Sequence, residues 1–394
     1  MSKKNKNMDF VPPVEESENV TAKQSKKKKK KGSGAFGRFI RRFFLMLFTI
    51  IILAFVALCL VLNLFFNGPS PAARNVLTMA LTEASATKWV PGVFMDAELV
   101  ESIRTGDTSI TMEESVTDIS KVVIQTGSSL SATNEWEKYP DGIRFEDYAG
   151  DTYNAHIMIV RDPAQVGMGL STTEGFSTAR PGKRITEFMN ENANVIAAVN
   201  AGAFNDDGTA SSVVGSCPLG LVMSDGKCVW TSGKQPGLEG FAGFNKDNIL
   251  VVSATNLSQS QAETMGIRDG CCFGPALIIN GEVNMAAYNN NSGFNPRTCI
   301  GQRADGAVIF ICVDGRQPSS LGATYADLID IMQEYGAVNA CNMDGGSSSV
   351  MMYRDANGIY GEAGQVIMMN NYSLLQSEPR RMPDYWMVAP QKEG

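Results

Sequence analysis

The residues Asp344-Gly345-Gly346-Ser347-Ser348-Ser349 lie between one apolar run that ends at Met343 and another that resumes at Val350. A carboxylate at the mouth of such a turn can serve acid–base or nucleophilic chemistry. Glycines let the backbone turn sharply, and successive N–H groups in such a turn make a concavity that holds an anion. The plain alternative is a tight turn between two strands, with serines as turn formers. Three other segments, 197–205, 294–300 and 309–317, also join a strand-like run to a polar loop, the usual place for functional groups on a rigid scaffold. They contribute Asn200 and Phe204, Arg297 and Thr298, and Asp314 and Arg316. An arginine fork suits phosphate oxygens, and the amides of Gly345, Gly346 and Ser347 could hold the same anion. Asp314 and Asp344 could stabilise an oxocarbenium-like centre, activate water or attack it. Taken singly, Asp314-Gly315 is also a turn, Arg297 a surface ion pair and Asn200 a cap. Taken together, Asn200, Arg297, Asp314, Arg316 and Asp344 suit cleavage of a glycosyl bond to phosphate.

Absences narrow the chemistry. The single histidine, His156, lies in a strand-like run and reads as a satisfied, half-buried imidazole, so no histidine step is expected. There is no G-x-S-x-G elbow, H-E-x-x-H, Walker A or dinucleotide fingerprint. Residues 205–209, Asn-Asp-Asp-Gly-Thr, resemble a fragment of a calcium loop with incomplete spacing, so Ca2+ stays open and no other cofactor or metal is expected. Of eight cysteines, Cys59 lies in an apolar run, and the remaining seven cannot all pair within one chain. If Asp305-Gly306 is a two-residue hairpin turn, Cys299 faces Cys312. Cys217 and Cys228 flank a second hairpin.

The elements that must position these groups are legible in outline. The net charge is −7, yet residues 1–42 hold thirteen Lys/Arg against four Asp/Glu, so the rest of the chain carries −16. An acidic body argues against a nucleic-acid partner. Residues 43–66 are an uncharged apolar run long enough to span a bilayer, behind a basic stretch. The expectation is a signal-anchor in the cell membrane, spanning once, with a disordered basic cytoplasmic tail (1–42) and an extracellular body. A cleaved signal peptide is the rival, though its apolar core would be shorter, roughly 7–15 residues. Residues 67–138 read as a pair of short juxtamembrane helices interrupted at Pro91-Gly92, then a polar linker. From residue 139 strand-like runs recur at 155–160, 195–199, 219–223, 249–252, 276–279, 298–301, 308–313 and 366–370. Asp225-Gly226, Asn280-Gly281 and Asp305-Gly306 punctuate them as hairpin signals. Within this body two helical segments stand out, 184–193 and 324–335, the second stopped by Gly336. The fold class is therefore α+β, mainly antiparallel sheets with a few packed helices, over residues 139–394.

The ordered set AAVNAGAFN, CFGPALIINGEV, PRTCIGQRADG, ICVDGRQ and NMDGGSSS resembles the phosphodiester glycosidase domain family over roughly residues 150–390. Bacterial members are described as exopolysaccharide-associated. The resemblance implies hydrolysis of a sugar-1-phosphodiester. It places Asn200, Phe204, Arg297, Thr298, Asp314, Arg316 and 344–347 at the family's motif positions. The first motif departs at Ala201, where relatives often carry glycine. The architecture suits a bacterial surface protein, with teichoic acid or a phosphorylated capsular glycan as substrate. A module that binds such glycans, or assists their assembly without turnover, is the alternative.

Overall fold

A computed structural model describes residues 34–82, 87–104, 116–120, 136–205, 215–232, 239–290, 292–372 and 378–390. The chain divides into two compact units, Met1–Leu60 and Val61–Gly394. Helix α1 (Ala35–Asn67) dominates the first, and its stretch Gly37–Asn67 is long and apolar enough to cross a membrane.

The second unit takes in the last residues of α1 and continues with α2 (Pro71–Thr82), α3 (Pro91–Phe94) and α4 (Ala97–Arg104). The sequence suggested two helices interrupted at Pro91; instead Pro91 starts a helical turn of its own. In a first turn the missing proline N–H is no loss. Phe94 from this turn stacks on Phe66 with centroids 5.2 Å apart.

Among the described residues seventeen strands, all paired antiparallel, make three sheets. The largest runs β1 (Ile143–Ala149), β2 (Asn154–Val160), β13 (Val308–Val313), β12 (Arg297–Arg303), β14 (Ala337–Met343), β10 (Ala276–Ile279) and β11 (Glu282–Val283). The second runs β16 (Gln365–Met368), β15 (Met351–Asp355), β4 (Ala197–Asn200), β17 (Asp384–Val388) and β3 (Val166–Leu170). The third runs β6 (Lys227–Thr231), β5 (Leu221–Ser224), β9 (Ile267–Cys272), β7 (Phe241–Asn245) and β8 (Leu250–Ser253). Helices α5 (Ile185–Glu191), α6 (Gln259–Thr264), α7 (Met285–Tyr288) and α8 (Tyr325–Glu334) complete it.

One core joins the three sheets: Ile300 and Phe310 from the first, Val199 and Trp386 from the second, Val222 and Phe244 from the third. Trp386 meets Phe244 edge-on at 5.9 Å. The other face of the large sheet packs Ile157, Ile309 and Ile311 against Leu328, Ile331 and Met332 of α8. Covered on both faces, β13 reads as an unbroken apolar run rather than an alternating one. Thr324 and Asp327 form a capping box at the start of α8, and Gly336 with φ +78 follows its end.

Asp225-Gly226 and Asn280-Gly281 both adopt left-handed pairs in two-residue hairpins, as the dipeptides suggested. Asp305-Gly306 does not. Arg303 N–H bonds the Ala307 carbonyl at 2.9 Å, so three residues form the loop, with Gly306 alone left-handed at φ +93. That shifts the register by one residue and overturns the expected facing of Cys299 and Cys312. Cys299 pairs with Ile311, Cys312 pairs with Thr298, and the two thiols belong to opposite faces of the sheet. All eight cysteines, Cys217 and Cys228 included, are free thiols. Most of the expected linker lies outside the described residues. Its residues 116–117 are docked: Val116 bridges Ser253, and the buried Thr117 hydroxyl accepts from Val252 N–H at 2.9 Å.

Gly322 has φ +119, and a Cβ there would stand 2.4–2.5 Å from the backbone of Asn295. Gly322→Ala should cost more than about 1 kcal/mol in a denaturant melt, because the conformation is closed to an L side chain. An unchanged midpoint would refute this account of the turn.

Candidate active site

β13 ends at Val313 opposite Arg297, the first residue of β12, and Thr298 faces Met343, the last residue of β14. The register therefore brings Arg297, Asp314 and Asp344 to one end of the large sheet. Asn200, at the end of β4 in the second sheet, meets them there. Its side-chain N–H donates to the Asp344 carbonyl at 2.5 Å. Its oxygen accepts from the Thr298 hydroxyl at 2.8 Å and from Val350 N–H at 3.1 Å. Asn200 and Thr298 are fully buried, so this amide is a fastening between sheets rather than a surface group.

The turn it fastens is partly exposed from Asp344 to Ser347. Gly346 has φ +62, and a Cβ there would lie 3.4 Å from the Arg316 guanidinium; glycine meets both demands. Two of the three amides expected to cradle an anion are already committed. Gly345 N–H bonds the Asp344 carboxylate at 2.9 Å, and Gly346 N–H bonds the Pro296 carbonyl at 2.8 Å. Cationic groups border the turn instead. Arg316, exposed and itself left-handed at φ +55, donates to the Asn295 side chain at 3.0 Å and stands beside Gly346. Arg380 donates to the Ser347 hydroxyl at 3.2 Å, and its guanidinium lies over the Phe204 ring at 4.8 Å. Tyr372 donates from its hydroxyl to the Ser347 carbonyl at 2.6 Å.

Arg297 was expected to face phosphate. The structure buries it, with its guanidinium donating to the carbonyls of Ser292 (2.8 Å), Gly293 (3.3 Å) and Ala323 (3.2 Å) above the Tyr325 ring. Asp314 is buried too. One oxygen accepts from Asn371 N–H at 2.8 Å. The other accepts from the Asn371 side chain at 2.8 Å and lies 3.1 Å from His156 Nε2. His156 Nδ1 is 2.7 Å from the exposed Asp147 carboxylate. Burial pulls the imidazole pKa down, but hydrogen bonds and charge from Asp314 and Asp147 outweigh it, and the net shift is upward. Sequence reasoning found the four strand tips. It missed Arg380, Asn371, Tyr372 and the contact between His156 and Asp314; the sole histidine, in a strand near Asp314, was the one available signal. Of the calcium-like fragment, residues 206–209 lie outside the described residues. No group of three or more His, Cys, Asp or Glu suited to a metal occurs among the described ones.

Residues 193–389 match the phosphodiester glycosidase family. The chain belongs to that family. β1, β2 and β3 precede the matched residues, yet they hydrogen-bond into the first and second sheets of this phosphodiester glycosidase fold. A curated relative, the SPbeta prophage-derived uncharacterized protein YomE of Bacillus subtilis (strain 168), is 28% identical over 159 residues, 39% of this chain. The match spans only 23% of that relative's length. Among solved structures, the zebrafish N-acetylglucosamine-1-phosphodiester alpha-N-acetylglucosaminidase catalytic domain, auto-inhibited by its pro-peptide, is similar. It has a TM-score of 0.46 and 22% identity, covering 63% of this chain and 82% of that one. A hypothetical protein from Synechocystis has a TM-score of 0.40 and 15% identity, covering 62% and 61%.

Two outcomes follow from this packing. Asn200→Ala strips partners from three groups at once and should cost about 2–4 kcal/mol in chemical denaturation; a loss under about 0.5 kcal/mol would contradict the fastening role. Folded His156 holds its proton above the ordinary imidazole value of about 6.5. Its stabilisation is complete below that value and is lost as pH rises through the folded pKa. His156→Gln should flatten the fall in Tm above about pH 6.5. A variant whose Tm still falls in parallel with wild type would show the imidazole is not the cause.

Proposed function

We propose that this chain hydrolyses a sugar-1-phosphodiester in a cell-envelope glycan, acting outside the cell from a membrane anchor formed by α1. The observation that carries the reading is the Asp344 turn, partly exposed at the sheet junction with Arg316 and Arg380 beside it. One carboxylate and two guanidiniums suit a bond whose leaving group is an anion. Phosphate departs readily, so the site needs positive charge more than a strong general acid.

In this reading Asp344 is the catalytic carboxylate and faces the anomeric carbon. Arg316, Arg380 and the Ser347 hydroxyl take the phosphate oxygens, and the Phe204 ring supports Arg380 from below. Asn200, Thr298, Arg297 and Asp314 act as positioning residues. Asn200 and Thr298 hold the Asp344 backbone, Arg297 holds the 292–293 loop, and Asp314 holds Asn371 next to Tyr372. Teichoic acid or a phosphorylated capsular glycan is the substrate class that fits an acidic, extracytoplasmic body on a basic-flanked helix.

The test is release of free sugar from a sugar-1-phosphodiester by the full-length protein in detergent. Asp344→Asn should lower kcat by about 10²-fold or more with Tm unchanged. Arg316→Ala should raise KM by about tenfold, the loss of a charged contact. Binding of the phosphorylated glycan without turnover would assign the chain to a carrier or assembly role. Full activity in Asp344→Asn would remove the carboxylate from its place in the reaction.

A further inference from the structure

We propose that Asp384 is a second functional carboxyl of this site, a positioning residue that governs Asp344 through the peptide group joining Ala201 to Gly202. The inference rests on the reading that Asp344 faces substrate. Asp384 is the first residue of β17, and its neighbour Tyr385 pairs with Asn200. It therefore lies at the same strand tip as the fastening amide.

The Ala201–Gly202 peptide touches both aspartates. Its N–H donates to Asp384 Oδ1 at 3.0 Å, and its carbonyl accepts the Asp344 N–H at 3.1 Å. Hydrogen bonds in such a chain polarise one another, so a charged Asp384 strengthens the hold on Asp344 and a neutral one relaxes it. The Asp384 side chain is 1% exposed, and its Oδ2 is buried with no hydrogen-bond partner. A buried carboxylate with an orphaned oxygen and no ion pair among the described residues is costly, and taking up a proton relieves the cost.

The titratable groups around Asp384 leave Asp344 as the one that interacts as a charge. The Cys271 and Cys272 thiols on β9 and the Tyr385 phenol are all held neutral, burial pushing each pKa up. Burial first, then the Asp344 charge, push the Asp384 carboxyl up to about 7, against the pull of Gly202 N–H. The charged form holds the Asp344 backbone more firmly and is the productive one.

The expected consequence is a pH limb. Between about pH 6 and about pH 8 the ionised fraction of a group near 7 rises roughly tenfold, and wild-type kcat should rise with it. Asp384→Asn keeps an acceptor for Gly202 N–H and removes the charge, so its kcat should vary less than about twofold over that range. An unaltered limb in Asp384→Asn overturns the proposal. Infrared difference titration of the full-length protein supplies a readout independent of turnover. Wild type should show a carboxylic acid titrating near neutrality, absent from Asp384→Asn and moved to lower pH in Asp344→Asn, where the like charge is gone. A missing band, or one that Asp344→Asn leaves in place, sinks the coupling even if Asp384→Asn does not fold. If that band behaves as expected while no sugar-1-phosphodiester is cleaved, the glycosidase reading fails and the linked carboxyls stand.

Discussion

The side-chain amide of Asn200 is the constraint on which the site depends. It belongs to β4 of the second sheet, yet all three of its bonds fix groups at the turn or at the strand ends that flank it. An amide has both an acceptor and donors, so one residue satisfies a hydroxyl, an N–H and a carbonyl together. Each would cost about 1–3 kcal/mol if buried unpaired, which ties the register of one sheet to that of the other. The turn can then be partly exposed without being loose. Asp344 is held at its own N–H and carbonyl, and Gly346 at its N–H. Charge placed on such a frame needs no reorganisation when a substrate arrives.

The arginines divide by the same logic. Arg297 stands among buried loop carbonyls, and buried backbone groups are almost always paired. Its planar fork meets three of them while its charge rests on the Tyr325 ring. Arg316 sits outside, in a left-handed conformation that costs on the order of 1 kcal/mol for an L residue. Its bond to Asn295 aims the guanidinium at Gly346. Strain of that kind persists where surrounding structure over-determines it, and it accumulates at functional turns.

What was legible in the sequence follows from range. The strands 276–279 and 308–313 and the helix near 324–335 are written in local runs, caps and a terminal glycine, and they form where those signals lie. The four motifs were legible as strand tips for the same reason. The roles within them were not. Arg297 and Arg316 both flank a strand in a polar loop, and only the packing of 292–293 and 323 separates the buried one from the exposed one. His156 reaches Asp314 across 158 residues, and Arg380 reaches Ser347 across 33, distances over which no sequence pattern speaks. The error at Asp305-Gly306 was smaller and sharper: Asp-Gly serves loops of two or three residues, and one residue of slip reverses every facing.

The first motif shows which of its two small residues the packing constrains. Position 201 is alanine, and its side chain is buried in the central core. What the site uses at this point is the peptide: the Ala201 carbonyl and the Gly202 N–H. A methyl group on residue 201 alters neither. At 202 the case is different, since a Cβ would come within 3.1 Å of the Cys271 Cβ and 3.2 Å of the Cys272 carbonyl, tighter than ordinary contact. The glycine that matters is therefore the second of the pair, and the constraint on it is contact with β9, a strand of the third sheet that carries none of the four motifs.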